Sequence, residues 1–391
     1  MSYFRRTSRS RFWKVALLLL GLLLTLDFIR LSRSGSRQHQ NTSLSIPVPT
    51  PSIYIASIFW NSAYILHISW NRAILDLVEE LGGAKIYISI YESGSWDHSK
   101  QVLKELESAL IARGIPHRII LDDTTHADDI GRPPTEEGWI KTPRGKTELR
   151  RIPYLSRLRN KTLEPLAQLA ANGTTFDKVK DVWALLETND GDYAAACSLD
   201  FSKPPEFYDT FALRDTEGHE RLSMTFPYFR SRKSRWAMVS HRPVPVSSCW
   251  NGMVAFDSSP FYQKNPLRFR GISDSLASHH LEGSECCLIH ADNFQSKTKG
   301  IWLNPSVRVG YDPEAYNVVH ALEPWPSISS RWAGLWRNRV RRWVTTVWFK
   351  EWVVRNRLKT WSKGEPGRHE PGEHCIINEM QVLIHNGWAH V

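Results

Sequence analysis

Glu282 and Glu285 flank a Gly-Ser pair, and His290 follows five residues further on. A carboxylate so placed can take the proton from an attacking hydroxyl, provided that it reaches the oxygen. An imidazole can complete an oxygen-rich coordination sphere around a cation or contact a diphosphate. Glu285 and Glu282 are therefore the candidate catalytic residues and His290 a candidate metal ligand, with Asp292 placed to orient it. The same stretch also reads as an acidic helix start followed by a buried histidine, which needs no chemistry. The adjacent Cys286 and Cys287 suit core positions, or half of a disulfide, better than nucleophiles.

Trp250-Asn251-Gly252 offers a flat ring and an amide at a turn. Sugar C–H faces stack on such rings and amides bind hydroxyls, so the three are candidates for acceptor binding. The plainer reading is a buried Trp beside a turn. Asp200 and the Arg214-Asp215 pair are polar loop residues that could contact donor or acceptor. Arg157 and Asn160 lie three apart on one helix face and are candidates for the donor, although a solvated face carrying a glycosylation sequon has the same pattern. Glycosylation at Asn160 and a role in a site exclude each other. No Ser/His/Asp order, P-loop or G-x-G-x-x-G run is present.

These residues need a scaffold. Ser52 to Asn61 is β-branched and aromatic, and reads as a strand. Residues 73–83 predict a helix closed by glycine, 85–97 a second strand, 98–115 a long amphipathic helix and 117–123 a third strand. Strand–helix alternation implies parallel pairing with right-handed crossovers, an α/β fold with a mostly parallel central sheet. Residues 124–150 read as a surface loop and 151–172 as a helix. Residues 188–320 carry little periodicity and predict short strands and loops over the scaffold.

The net charge of +10 is concentrated at the ends. The first 37 residues hold eight basic residues against one aspartate, and 331–363 hold ten against one glutamate, while the stretch between is mildly acidic. That distribution argues against nucleic acid as a partner. Residues 1–14 form a basic tail and 15–33 an apolar run, without a small-x-small cleavage site; together they predict an uncleaved signal anchor with the tail cytosolic. Residues 34–51 are a polar, Pro-spaced stem and 52–330 the main domain. In 331–363, tryptophans alternate with basic residues, the pattern of a helix lying on an anionic membrane or packed on the domain. Residues 364–391 close the chain against the domain. Five cysteines leave at least one unpaired, and no C-x-x-C suggests structural zinc.

"DYAAACSLDFSKPPEFYDTFALRDTEG", "PVPVSSCWNGMVAFD", "LEGSECCLIHADN" and "WLNPSVRVGYDPEAY" resemble the fungal capsule-associated proteins and α-1,3-mannosyltransferases of glycosyltransferase family 69. The likeness runs from about Ser52 to the C-terminal "CIINEMQVLIHNGWAHV". It implies a GT-A-like domain behind a single type II Golgi anchor. It further implies GDP-mannose as donor, an α-1,3 linkage to a glycan acceptor, and a divalent cation, Mn²⁺ or Mg²⁺. GT-A-like enzymes often carry an Arg-Asn pair about 20 residues before the acidic motif, and Arg159-Asn160 matches it, which makes both candidates for donor binding.

Family members usually run from a strand like "FDKV" through an apolar stretch into an acidic motif before the next helix. Here Val179 is followed directly by Lys180-Asp181-Val182, and residues 180–187 read as that helix. A central strand and its loop need roughly 8–12 residues, so the sheet should have a hole at its middle. The nearby carboxylates are Asp177, Asp181, Asp190 and Asp192; Asp181 is the candidate metal ligand at this position, with Asp190 and Asp192 swinging in as the alternative. The likeness without the motif also admits a non-catalytic member that binds glycan or scaffolds a Golgi polysaccharide complex.

Overall fold

The computed structural model describes residues 3–38, 52–81, 86–134, 137–176, 178–179, 183–321 and 325–391. After α1 (Tyr3–Gln38), the main domain opens with β1 (Ile53–Phe59). A short α2 (Ala63–Ile65) and a π-helical turn lead into α3 (Asn71–Glu80), then β2 (Ile86–Ser93), α4 (Ser99–Ala112) and β3 (His117–Asp122). β1, β2 and β3 pair in parallel, as the alternation requires. Ile53 and Ile55 point to the α3/α4 face, and Tyr54 to the other. On that second face lies α6 (Arg151–Ala171), whose Thr162 carbonyl accepts the Tyr54 hydroxyl at 2.6 Å. The segment read as a surface loop instead forms α5 (His126–Ile130) and a small hairpin, β4 (Trp139–Lys141) and β5 (Thr147–Leu149). Thr125 and Asp128 cap α5 reciprocally, a signal carried by T-x-x-D in the sequence.

The second half of the sheet is built from β6 (Lys178–Val179), α7 (Trp183–Leu186), β7 (Ala195–Lys203), β8 (Glu206–Phe207), β9 (Arg214–Asp215), α8 (Arg232–Val239), β10 (Val244–Ser248) and β11 (Val254–Asp257). It continues through α9 (Asp274–Ala277), β12 (Glu282–Gly283), α10 (Glu285–Asp292), β13 (Ile301–Gly310) and α11 (Pro313–His320). The ten-stranded sheet runs β3-β2-β1-β6-β11-β7-β13-β10-β9, with β8 beside β7. The expectation of a mostly parallel sheet holds for β1, β2, β3 and β6 and for the β7/β13 pair. It fails beyond β6: β11 runs antiparallel to both its neighbours, and β10 to both of its own. The helices there do not act as crossovers between parallel neighbours: α8 lies between β9 and β10, and α9 and α10 between β10 and β13, yet both pairs are antiparallel.

At the centre of the sheet, β6 is two residues long, beside a β1 of seven. Only Ile53 and Tyr54 of β1 pair with it. Val179 pairs with Phe256 of β11. Residues 177 and 180–182, including Asp181, lie outside the described residues. The helix read over 180–187 is described as α7, over its last turn only.

The C-terminal third adds α12 (Ile328–Val344), α13 (Val347–Gly364), β14 (Ile376–Ile377) and a hairpin, β15 (Gln381–Ile384) and β16 (Gly387–His390). The single helix expected over 331–361 is thus two, broken at Thr345, whose extended ψ of 140° ends the first. β14 pairs with β12, and Cys287–Cys375 closes covalently beside that pair. Cys197–Cys249 ties β7 to the turn after β10, and Cys286 is the free, buried fifth cysteine.

Candidate active site

Two cavities meet at Arg159, Trp250 and Gly252. The first, about 290 Å³, opens along Ala56–Phe59, the carboxyl half of β1. Its other walls come from α6 (Arg159, Thr162) and β11 (Val254, Phe256), so it occupies the sheet's centre just beyond β6. No carboxylate lines it among the described residues. The second, about 560 Å³, is polar and reaches from Arg151 and Arg159 on α6 to Asp209, Glu285 and Tyr311, with the C-terminal hairpin as its outer wall.

Glu285 is the first residue of α10, behind Ser284 at the N-cap. Its carboxylate is buried and accepts a hydrogen bond from Arg159 Nε at 3.1 Å. The Arg159 guanidinium in turn lies over the Trp250 ring, 4.6 Å from its centre, and faces Phe269. Trp250 therefore spends one face on Arg159 and meets Phe269 edge-on, which limits the sugar-stacking surface expected of it. Asn251 is buried and structural: its amide donates to the Asp209 carbonyl at 2.7 Å. Gly252 has φ +80°, and a Cβ there would sit 2.4 Å from Val309 Cγ2, so the turn that presents Trp250 requires glycine.

Arg151, Tyr208, Asp209, Tyr311 and Trp388 were not singled out in the sequence. Burial pushes the Asp209 carboxyl up, while the amides of Phe211 and Ala212 oppose the rise. Arg151 donates to Gln381 at 2.7 Å and lies 4.4 Å from the centre of the Trp388 ring, which fixes the hairpin over the cavity. Of the sequence candidates, Arg159, Arg214, Trp250, Gly252 and Glu285 line these cavities, and Arg214, buried in β9, spends its guanidinium on the His374 and Cys375 carbonyls at 2.6 and 3.2 Å.

The other candidates are placed elsewhere. Glu282 is fully buried in a pair with Arg150 (2.7 Å), which also holds Asp274 at 2.7 Å. It serves to join α6 to β12 and does not reach the second cavity. Removing one partner of such a pair leaves a buried charge unanswered, at a cost of about 3–5 kcal/mol. Glu282→Gln should accordingly lower the unfolding free energy by about that amount in a urea titration; an unchanged midpoint would contradict the structural role. Asn160 spends both ends of its amide on the Phe269 backbone, at 2.8 and 2.9 Å, which leaves neither the sequon nor the donor role a free group. Arg157 is exposed against Tyr154, away from both cavities. Asp215 accepts three backbone N–H groups, from Glu217, His219 and Ser231, and organises its own loop.

His290 is buried, stacked on Phe256, and its Nε2 pairs with the Cys249 carbonyl at 2.7 Å. Burial pushes it down to about 4, against the Cys249 carbonyl, so the ring is neutral and donates this bond. Asp292 pairs with Arg270 (2.6 Å) rather than with His290. Two His/Cys clusters are near enough for a metal among the described residues, Cys197/Cys249/His290 and Cys287/His374/Cys375. In both, the cysteines are disulfide-bonded and are not thiolate ligands. Mn²⁺ or Mg²⁺ requires oxygen donors, and the described residues do not gather them. The expected cation therefore does not fit the described residues, while the candidate ligand Asp181 lies outside them.

Asp200 lies beneath the Asn251-Gly252 turn and accepts the Asp209 N–H at 3.2 Å. Its burial, then the charge of Asp209, push it up to about 7. A carboxyl raised above its unfolded value takes up a proton on folding; stability falls as pH rises from about 4 to about 7 and is level above. Asp200→Asn removes that titration. Its stability relative to the parent should grow across this window by up to about 4 kcal/mol, read by urea unfolding at each pH. A difference independent of pH would contradict the assignment.

A cleft at the carboxyl half of a parallel strand is where open α/β sheets bind ligands, and the sequence family that the chain matches makes this one the site of a glycosyltransferase. The chain belongs to the family described as cryptococcal mannosyltransferase 1, whose sequence model matches residues 52–292. No curated protein matches it in sequence. Among solved structures, it is similar to GalNAc-T7 with UDP, GalNAc and Mn²⁺, at 13% identity and a TM-score of 0.36, over 66% of this chain. This chain spans only 43% of that one. It is also similar to the mannosyltransferase PcManGT from Pyrobaculum calidifontis in complex with GDP-Man and Mn²⁺, at 12% identity and a TM-score of 0.32, over 90% of this chain and 87% of that one.

Proposed function

We propose that the chain is built as a GT-A-like mannosyltransferase that takes GDP-mannose as donor and forms an α-1,3 linkage on a glycan acceptor of capsule, cell wall or glycoconjugate. The observation that carries the reading is Glu285, a buried carboxylate fixed by Arg159 in the wall of a polar cavity. In this reading the acceptor hydroxyl lies in the second cavity. Its proton passes to Glu285 as its oxygen bonds to the mannosyl carbon, and the bond from that carbon to the diphosphate breaks. Arg159, which lines both cavities, brings positive charge toward the departing GDP. Donor and acceptor would thus meet at the junction of the cavities.

We place the domain on the lumenal side of a Golgi membrane as a single-pass type II protein. One N-terminal helix, Trp13–Ser32, is long and apolar enough to cross a bilayer, and its basic flank sets that orientation.

A second reading rests on a specific observation, the first cavity, which no carboxylate lines among the described residues. It makes the chain a glycan-binding or scaffold member of a Golgi polysaccharide complex. Transfer of labelled mannose from GDP-mannose to mannosides, run beside calorimetric titration with the same ligands, separates the two. Turnover supports the enzyme; glycan binding with no turnover, even in a chain extended after Val179, supports the scaffold.

A further inference from the structure

α1 does not stand apart from the domain. Asp27 is buried against α12, where Arg339 Nη1 lies 2.9 Å from its carboxylate. Leu31 is fully buried in the same core cluster as Leu335, with Trp332 packed on it. Arg30 lies over Trp236 of α8, 5.2 Å from the ring centre, and the Val239 carbonyl of α8 accepts from Arg331 near the start of α12, so residues 30–31 lie toward the start of α12 and Asp27 beside Arg339 further along it. Each step back of one turn along α1 corresponds to one turn forward along α12, so the helices run antiparallel. One further turn, about 6 Å, takes α1 to Leu23 and α12 to Trp343.

Leu23 lies inside the apolar span Trp13–Ser32. Trp343 and Val344 at the end of α12 are each 70% exposed. Across the break at Thr345, the first turns of α13 expose Trp348, Phe349 and Trp352, with Phe349 and Trp352 stacked. Exposed Arg341 and Lys350 flank this corner. An apolar aromatic tip with a basic rim, beside the part of α1 that leaves the domain beyond the buried Asp27, has the chemistry of the bilayer interface: tryptophan settles at headgroup depth and Lys/Arg meet lipid phosphates.

We infer that the α12–α13 corner is a second membrane contact, which inserts its aromatic side chains into the interface of an anionic bilayer beside α1 and fixes how the catalytic domain stands on that surface. The occupant is lipid because α12, which ends at the corner, is held against the one helix among the described residues suited to span a membrane, and because the corner's rim is basic. The inference rests on the anchor reading, and the test reports on the two separately.

The test is hydrogen exchange of the full chain in nanodiscs of phosphatidylcholine, with and without about one-third phosphatidylserine. The comparison is with a variant carrying Trp343→Ser, Trp348→Ser, Phe349→Ser and Trp352→Ser. All four side chains are more than half exposed, so the fold should survive, and unaltered exchange of the β1, β2 and β7 peptides verifies that. Amides of 340–352 are expected to exchange about ten-fold or more slowly in parent than in variant, most strongly with phosphatidylserine. Equal exchange in parent and variant overturns the inference, as does protection that follows protein concentration in detergent, which would mean a second copy of the chain. Peptides of 13–26 report on the span: their fast exchange beside a protected 340–352 refutes the anchor and leaves the docking corner in place.

Discussion

A chain extended after Val179 by a strand of several residues and a pair of carboxylates is expected to transfer mannose at least about 10³-fold faster than the 391-residue chain, which should be at or near background. The argument is geometric and chemical. β1 has seven residues and β6 pairs with two of them, and the carboxyl half of β1 faces a cavity of about 290 Å³ where the rest of a central strand would run. That cavity offers no carboxylate among the described residues, so a diphosphate leaving there meets Arg159 but no cation site. Losing several kcal/mol of charge stabilisation on a leaving group corresponds to that factor. Radiochemical transfer assays of both chains, with and without Mn²⁺, measure it. Equal, metal-dependent turnover by the 391-residue chain would show that other carboxylates serve. Sequencing transcripts across codons 176–184 settles which form is made.

The second large effect belongs to Glu285. In the extended chain, Glu285→Gln keeps the size of the side chain and a hydrogen-bond acceptor for Arg159 while removing the base. A drop in kcat of about 10²–10⁴-fold with little change in KM for donor is expected. Turnover equal to the parent's would remove Glu285 from the proton-transfer role. A matching rise in KM would instead mark it as a binding group, acting through Arg159.

The parallel half of the fold was legible in the sequence because periodicity there is strong: β-branched runs alternate with amphipathic helices whose Val102, Leu103, Leu106 and Leu110 are all buried. Past β6 the strands are mostly two to five residues long and joined by loops, so their direction depends on long-range pairing that no local pattern encodes. The candidate site divides in the same way. Glu285, Trp250 and Gly252 could be chosen because carboxylates, rings and turns declare their chemistry locally. Asp209 and Trp388 could not, since they reach the cavity only through the Tyr208–Phe211 loop and a hairpin that folds back across 230 residues to Arg151. Glu282 and Asn160 show the converse: both have the right chemistry, and both are consumed by partners distant in sequence, Arg150 and Phe269. Arg150 gave no warning, as one of two adjacent arginines at a helix start is normally solvated. Disulfide pairing was open among five cysteines and was decided by which strands the sheet brings together.

The bridge between Cys287 and Cys375 spans 88 residues and joins α10, which carries Glu285, to the segment leading into the hairpin that walls the cavity. Its second half is synthesised only after every strand of the main sheet has been made. The bridge thus backs, covalently, the β12/β14 pair and the Arg151 contacts that hold the hairpin over the cavity. A thiol–disulfide change at this bridge would therefore act on the wall of the cleft and leave the pairing of the main sheet's strands untouched.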